Sequence, residues 1–391
     1  LRSLKKQLIL FFIGPLLISC QLATSLTPAA QEIATPLPAP QSQSAEIPSP
    51  PVATELAPTM APTPEPTIDP ATINPLTGLV MDDPMILERL PVLIKVSNYP
   101  RTGRPHAGLS SADIVFDYYI GEMFNRFVAL FYGNNAPQVG PIRSGRLVDS
   151  QLTRMFHGVL VYGNADERVD TVLDSDLGAR AIAYKYAPCP PVCGDDTHSV
   201  TGVFADSAGV TELARSNGVV QERPNLQFAS FSPDPPTGGQ PASQILIQYA
   251  EINRGEWQYD TDSDKYLRWI EDGNEGEPLT MIPLVDRNNG EQLAFSNVII
   301  LTTFYIEYNR TLHNIDLWNN IGPQNAVYFR DGMKYDGKWT VKDHGQPMEF
   351  LQNDGTPMPL KPGNTWIVLA GISSQFSNPQ GGRFELYFYV P

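Results

Sequence analysis

The stretch Arg104–Arg146, RPHAGLSSADIVFDYYIGEMFNRFVALFYGNNAPQVGPIRSGR, decides how the folded part of this 391-residue chain is read. Asp113–Ile120 alternates with the period of a strand. Ile114, Phe116, Tyr118 and Ile120 share one face, and Asp113, Val115, Asp117 and Tyr119 share the other. Asn125–Tyr132 reads as a second strand. With Gly121–Phe124 as the turn, a regular hairpin pairs Tyr119 with Arg126 and Asp117 with Val128. Phe127, Ala129 and Phe131 then join the apolar face, and Arg126 shares the face of Asp117.

The same stretch concentrates charge. Arg104, Arg126, Arg143 and Arg146 lie near Asp113, Asp117 and Glu122. Ser144 is a candidate N-cap for an amphipathic helix over Leu147–Phe156. Two arginines beside a helix N-terminus are electrostatically odd, because that end already carries partial positive charge. Compensation would come from Asp113, Asp117, Glu122 or Asp149, or from a carboxylate or phosphate of a ligand. Both readings stay open on the residues alone. Asp113 and Asp117 share a strand face, so they also suit an acid–base pair; ion pairing with Arg126 and Arg143 is the competing role.

Outward from this core, Val92–Asn98 and Gly158–Tyr162 read as strands, and Asp166–Leu173 and Ser207–Ser216 as short helices. The turn-rich run Ser232–Pro241 separates this α+β or α/β region with a mixed sheet, residues 74–235, from residues 242–391. The latter is a succession of short strands that suits a mostly antiparallel sandwich or barrel.

At the other end, Arg2, Lys5 and Lys6 precede the apolar run Leu8–Ile18 and Cys20, the order of a secretory signal over residues 1–20. Leu17-Ile18-Ser19-Cys20 resembles the bacterial lipobox, whose cysteine takes up diacylglycerol. This implies a lipid-anchored protein on the extracytoplasmic face of the cell membrane. Residues 21–73 are rich in Pro, Ala, Thr, Ser and Gln and hold no Lys, Arg, Phe, Trp or Tyr, so they are expected to form a disordered tether. A net charge of −15 without a basic run excludes nucleic acid as a partner. It leaves room for anions only at a local basic pocket.

Cys189 and Cys193 are expected to form a disulfide in an oxidising compartment. Asp260, Asp262, Asp264 and Glu271 have the spacing of a calcium loop, but Lys265 replaces its obligatory glycine, and a solvated β-turn is the better reading. The five histidines fall in no metal or nucleophile motif, and no phosphate-binding or dinucleotide fingerprint occurs. No metal or other cofactor is expected.

Several segments together resemble a known family. They are Asn74-Pro75-Leu76-Thr77-Gly78, Arg104-Pro105 with Gly108-Leu109-Ser110, Ala112-Asp113-Ile114-Val115, Arg126-Phe127, and Gly140-Pro141-Ile142-Arg143-Ser144 with Arg146. Farther on come Tyr259-Asp260, Asn297-Val298-Ile299, Asp331-Gly332, Trp339, Asp354-Gly355 and Thr365-Trp366. In this order they resemble the YerB-type bacterial lipoprotein family, which implies a two-domain envelope lipoprotein with no assigned reaction. The chain departs from the family at Glu122-Met123-Phe124-Asn125, where a Gly-Gly stretch is usual, and at Tyr162-Gly163-Asn164-Ala165, where a histidine is usual.

The resulting expectation is a binding module for an anionic wall- or peptide-derived ligand, held by Arg104, Arg126, Arg143, Ser144 and Arg146 with Asp113 and Asp117. Its partners would be the membrane, through the lipid, and a cell-wall polymer or envelope protein. The alternatives are a wall-acting hydrolase using Asp113, Asp117 or Glu122, and a structural scaffold for other envelope proteins.

Overall fold

The computed structural model describes residues 69–194, 201–273, 278–318 and 322–390. The signal segment, Cys20, most of the expected tether, and Asp195, Asp196 and His198 lie outside the described residues. Described structure begins inside the stretch read as tether: Asp69 caps a short 3₁₀ turn, Pro70–Thr72, and Ile73 bridges Val80. The backbone carbonyl of Ala71 accepts from Arg223, which ties this segment to the body.

The N-terminal region carries a mixed sheet and the helices. Its strands are β1 (Val92–Ser97), β2 (Ile114–Gly121), β3 (Phe124–Phe131), β4 (Val159–Tyr162) and β5 (Ala181–Ala183). Its helices are α1 (Leu147–Met155), α2 (Glu167–Leu177) and α3 (Ser207–Ser216). The C-terminal region is mostly antiparallel strand. Its main members are β6 (Gln244–Ala250), β7 (Asn253–Asp260), β8 (Lys265–Asp272), β9 (Asn297–Asn309), β10 (Gln324–Arg330), β11 (Met333–Thr340), β12 (Thr365–Gly371) and β13 (Arg383–Tyr387).

The two regions share one sheet. Strand β12 runs parallel to both β2 and β9, so a C-terminal strand is inserted beside the N-terminal hairpin. The 12-stranded sheet therefore extends across both regions, and β6, β7, β8 and β13 belong to a separate seven-stranded sheet. The C-terminal strands are not a self-contained sandwich. A strand rhythm in sequence marks where strands lie but does not say which sheet each one joins.

Both faces of the large sheet are buried. Val92, Ile94, Phe127 and Trp366 belong to one cluster with Ile245, Trp257 and Tyr266 of the smaller sheet. Leu93, Phe116, Val128 and Leu160 belong to another, with Leu152 of α1 and Leu173 of α2. A strand buried on both sides needs apolar residues at consecutive positions, which explains VLIKV and FVALF.

The hairpin register differs from the regular one. Gly121 pairs with Phe124, but a bulge shifts the ladder so that Tyr119 pairs with Asn125, Tyr118 with Arg126 and Asp117 with Phe127. One extra residue moves every following side chain to the other face. Arg126 thus joins the face of Tyr118, and Phe127 joins the face of Asp117. The turn itself, Glu122-Met123, has φ of 51° and 70°, the left-handed pair that a two-residue hairpin requires.

Candidate functional site

Beside the bulged hairpin lies a cleft of about 1310 Å³, lined by Tyr99, Arg101, Phe124, Arg126, Arg143, Arg146, Ile252, Arg254 and their neighbours. Three of the four arginines singled out by sequence meet here. Arg126 comes from the start of β3, and Arg143 and Arg146 from the loop entering α1. Among the described residues none of the three makes an ion pair with a carboxylate. Arg126 donates from Nη1 to the Ser144 carbonyl at 3.0 Å, and Arg143 donates from Nε to Ser97 Oγ at 3.2 Å. Arg146 donates to the Gly145 carbonyl, and its Nε is buried with no partner among the described residues. Burial, then repulsion from Arg146 and Arg143, pushes the Arg126 guanidinium well down from its ordinary value.

Beneath the arginines is a buried triad that the sequence reading did not assemble. Lys95, in the middle of β1, places Nζ 3.1 Å from Asp149 Oδ1. The Tyr118 hydroxyl contacts both groups, accepting from Lys95 and donating to Asp149. All three side chains are fully buried. Burial outweighs the pull of Asp149 and lowers Lys95 to about 7, with Arg126 and Arg146 adding to the lowering. A lysine inside the apolar run Val92–Val96 was the available signal, because such a residue is seldom buried without a partner.

Ser144 is not the N-cap. The helix starts at Leu147 as expected, with Arg146 in the N-cap position, and the Asp149 carboxylate reaches back to accept from the Arg146 N–H at 2.7 Å. An acidic residue three positions into a helix commonly does this. Ser144 contributes its carbonyl to Arg126 instead.

Arg104 does not line the cleft. Its guanidinium donates to the Asn98 carbonyl and side chain and to the Glu271 carbonyl and carboxylate, the last at 2.8 Å. Glu271 comes from β8, far away in sequence, so proximity to Arg126 in the chain was misleading. Arg101 also meets Glu271, at 3.4 Å, while its other nitrogens donate to the Gly273 and Ile252 carbonyls.

Asp113 and Asp117 are inside the protein and not in the cleft. Asp113 accepts from the Tyr132 and Gly133 N–H groups and from Asn74. Asp117 accepts from Asn125 at 2.6 Å, Tyr249 at 3.0 Å and Trp366 at 3.3 Å, with Arg268 at 3.8 Å. Both carboxylates are occupied and shut off from solvent, so neither is available as the acid or base of a wall hydrolase. Glu122 alone of that set lines the cleft, on the turn.

Cys189 and Cys193 are joined by a disulfide. The segment with calcium-loop spacing is the hairpin between β7 and β8: Asp260 accepts from the Ser263 N–H and hydroxyl, and Asp264 contacts Lys361 and Tyr259. Among the described residues no group of three or more His, Cys, Asp or Glu side chains is arranged to hold a metal. No helix among them is long and apolar enough to cross a membrane.

A shared sheet completed by β12, with a separate C-terminal strand region packed on it, defines the class of protein. The chain belongs to the family described as protein of unknown function DUF3048, matching its N-terminal domain over residues 76–188 and its C-terminal domain over residues 245–367. Among curated proteins it is similar to "Putative lipoprotein YerB" of Bacillus subtilis (strain 168), with 27% identity over 311 residues, 75% of this chain and 84% of that protein. The crystal structure of YerB from Bacillus subtilis shares the fold, with a TM-score of 0.62 at 24% identity over 76% of this chain and 96% of that one.

Proposed function

We propose that this protein is a lipid-anchored envelope protein whose cleft binds an anionic wall- or peptide-derived ligand. The observation that carries the reading is the convergence of Arg126, Arg143 and Arg146 on one cleft with no carboxylate partner among the described residues. A protein of net charge −15 spends few cations without purpose, and a concave basic site inside an acidic surface attracts anions locally. The lipobox-like Leu17–Cys20 and the name of the Bacillus relative support the anchor. A scaffold role would be favoured by internal pairing of Arg104, Arg126, Arg143 and Arg146, and of these four, among the described residues, Arg104 alone is ion-paired.

The test is a thermal-shift titration of the full chain with soluble cell-wall fragments, beside Arg143→Ala. A specific ligand raises the apparent melting temperature of the native chain, and the variant loses the shift. An equal shift in both proteins would remove the cleft from the reading. The anchor is tested separately: a Cys20→Ser chain that stayed in the membrane fraction would refute it.

A further inference from the structure

The charge balance of the cleft corner is lopsided. Lys95, Arg126, Arg143 and Arg146 are set against Asp149 and, acting on Arg146 from farther off, the exposed Asp166. The Asp149 carboxylate is already engaged on both oxygens, by Lys95 and Tyr118 on one and by the Arg146 N–H on the other. No carboxylate among the described residues forms an ion pair with the three guanidinium groups, and Asp166, which acts on Arg146 through space, is itself paired with Arg168 at 2.9 Å. Glu122 and Glu251 line the cleft but form no ion pair with any of them.

The corner is also only one end of the space. At 1310 Å³ the cleft exceeds the roughly 300–1,000 Å³ of ordinary small-molecule sites, far more than one inorganic ion needs. The lining also carries apolar side chains: Tyr99 and Phe124 pack with ring centroids 4.7 Å apart, beside Ile252, Met123 and Leu279, with Arg101 over the Tyr99 ring at 5.6 Å and Arg254 among them. Met123 and Ile252 are exposed within this lining.

We infer that the Arg126–Arg143–Arg146 corner takes a phosphoryl group, carried on a partly apolar body that lies along the Tyr99–Phe124–Ile252 wall. This rests on the anion-binding reading above and narrows it. A single carboxylate is planar and brings one negative charge, enough for one guanidinium fork. A phosphomonoester brings about two charges and three acceptor oxygens in different directions, which suits donors arriving from a strand and from a separate loop. The Nε of Arg146 is buried with no partner among the described residues, as is that of Arg254, which also lines the cleft. The apolar wall then selects phosphates that carry a ring or hydrocarbon over the free ion.

The experiment uses the full chain in detergent and isothermal titration with phenyl phosphate, inorganic phosphate, benzoate and dihexanoyl phosphatidate. Phenyl phosphate is expected to bind at least tenfold more tightly than either inorganic phosphate or benzoate. Arg143→Ala should weaken it at least tenfold, and Arg143→Lys should restore part of the loss. Phosphatidate binding more tightly than phenyl phosphate would identify a lipid as the source of the phosphoryl group; the reverse order would point to a soluble or polymer-borne phosphate. Benzoate binding as well as phenyl phosphate, with the same dependence on Arg143, would overturn the phosphoryl inference and leave the anion site standing. No binding of any anion, or binding indifferent to Arg143→Ala, would overturn both. Arg126 is packed deeply enough that its loss could unfold the chain, so the half-buried Arg143 is the residue changed, and a melting curve of each variant confirms that it is folded.

Discussion

Two places in this molecule bury charge, and they do it in opposite ways. At the junction of the two sheets, Asp117 of β2 faces Arg268 of β8, with Asn125, Tyr249 and Trp366 donating to the carboxylate. The Arg268 guanidinium lies over the rings of Trp257 and Trp366, at 4.9 and 5.2 Å. One anion meets one cation under aromatic faces, although the Arg268 Nε and Nη1 have no hydrogen-bond partner among the described residues. At the cleft corner, three guanidinium groups and the half-neutralised Lys95 gather around Asp149, with only the exposed Asp166 acting on Arg146 besides. The first arrangement serves the fold, because each charge neutralises the other. The second costs the fold stability through like-charge repulsion, and under the proposed function a bound anion would offset that cost. A matched buried charge serves the fold, and an unmatched one in a cleft is what the proposed ligand reading rests on.

The sharpest way to break this comparison is to remove one partner at each place. Arg268→Ala leaves Asp117 buried without its counter-charge and should cost about 3–5 kcal/mol in urea unfolding. Gly255→Ala attacks the same spot from the neighbouring strand, since a Cβ there would collide with the Arg268 guanidinium. A loss below about 1 kcal/mol in Arg268→Ala would show that the junction does not depend on the pair.

Acid should expose a second consequence of the buried junction. His106 is buried, packs edge-on to Phe127 at 5.3 Å, and lies near Arg104, Arg268 and Arg287. Burial first, and then the charge of Arg104, lowers it to about 3. The unfolded chain takes up this proton near pH 6.5, and the folded chain does not until about 3, so stability present above pH 6.5 is lost as the pH falls toward 3. The full effect is on the order of 5 kcal/mol. Asp113 works against it. Its carboxyl is raised to about 6, mainly by burial, so its contribution is present below the unfolded value and lost as the pH rises through 6. The comparison of native chain with His106→Gln, by unfolding at pH 7, 5 and 4, isolates the histidine. Parallel profiles would refute the assignment.

At the corner the same kind of change should do little to the fold. Arg143→Ala removes a like charge from Arg126 and Arg146, so unfolding should change by no more than about 1 kcal/mol, in either direction. A loss as large as that of Arg268→Ala would make the corner structural and erase the distinction between the two places.

Much of the fold was legible because its signals are local. The strands of the hairpin, the start of α1 and the strand-rich C-terminal region follow from alternation, periodicity and turn residues. What was not legible depends on contacts distant in sequence. Strand β12 inserts beside β2 although some 250 residues separate Asp117 from Trp366, and no local pattern announces a parallel neighbour. The bulge in the hairpin is a single extra residue, yet it moved Arg126 from the face of Asp117 to that of Tyr118. The site was half legible for the same reason. Arg126, Arg143 and Arg146 are brought together by one hairpin and the next loop, whereas the fate of Arg104 was decided by Glu271. Lys95 was visible as an anomaly, but its partner Asp149 lay two strands and a loop away.

The hairpin turn offers the smallest effect and the finest test of the cleft. Met123 holds φ at 70° while its side chain is 50% exposed on the cleft rim. The left-handed conformation costs an L-residue about 1–2 kcal/mol, and glycine escapes that cost but gives up more backbone entropy on folding. The backbone bonds of the position, from its N–H to the Tyr119 hydroxyl and from Asn253 to its carbonyl, survive the change. Met123→Gly should therefore stabilise the chain by about 0.5–1 kcal/mol, measured by urea unfolding. The resemblance that expects Gly-Gly in this segment then has a physical reading, since the turn wants φ above zero and this chain keeps side chains there regardless. If those side chains are retained for the ligand, the stabilised variant should bind phenyl phosphate more weakly while its affinity for inorganic phosphate stays the same. Weakening of both by the same factor would mean that the turn positions Arg126 and does not touch the ligand's apolar part.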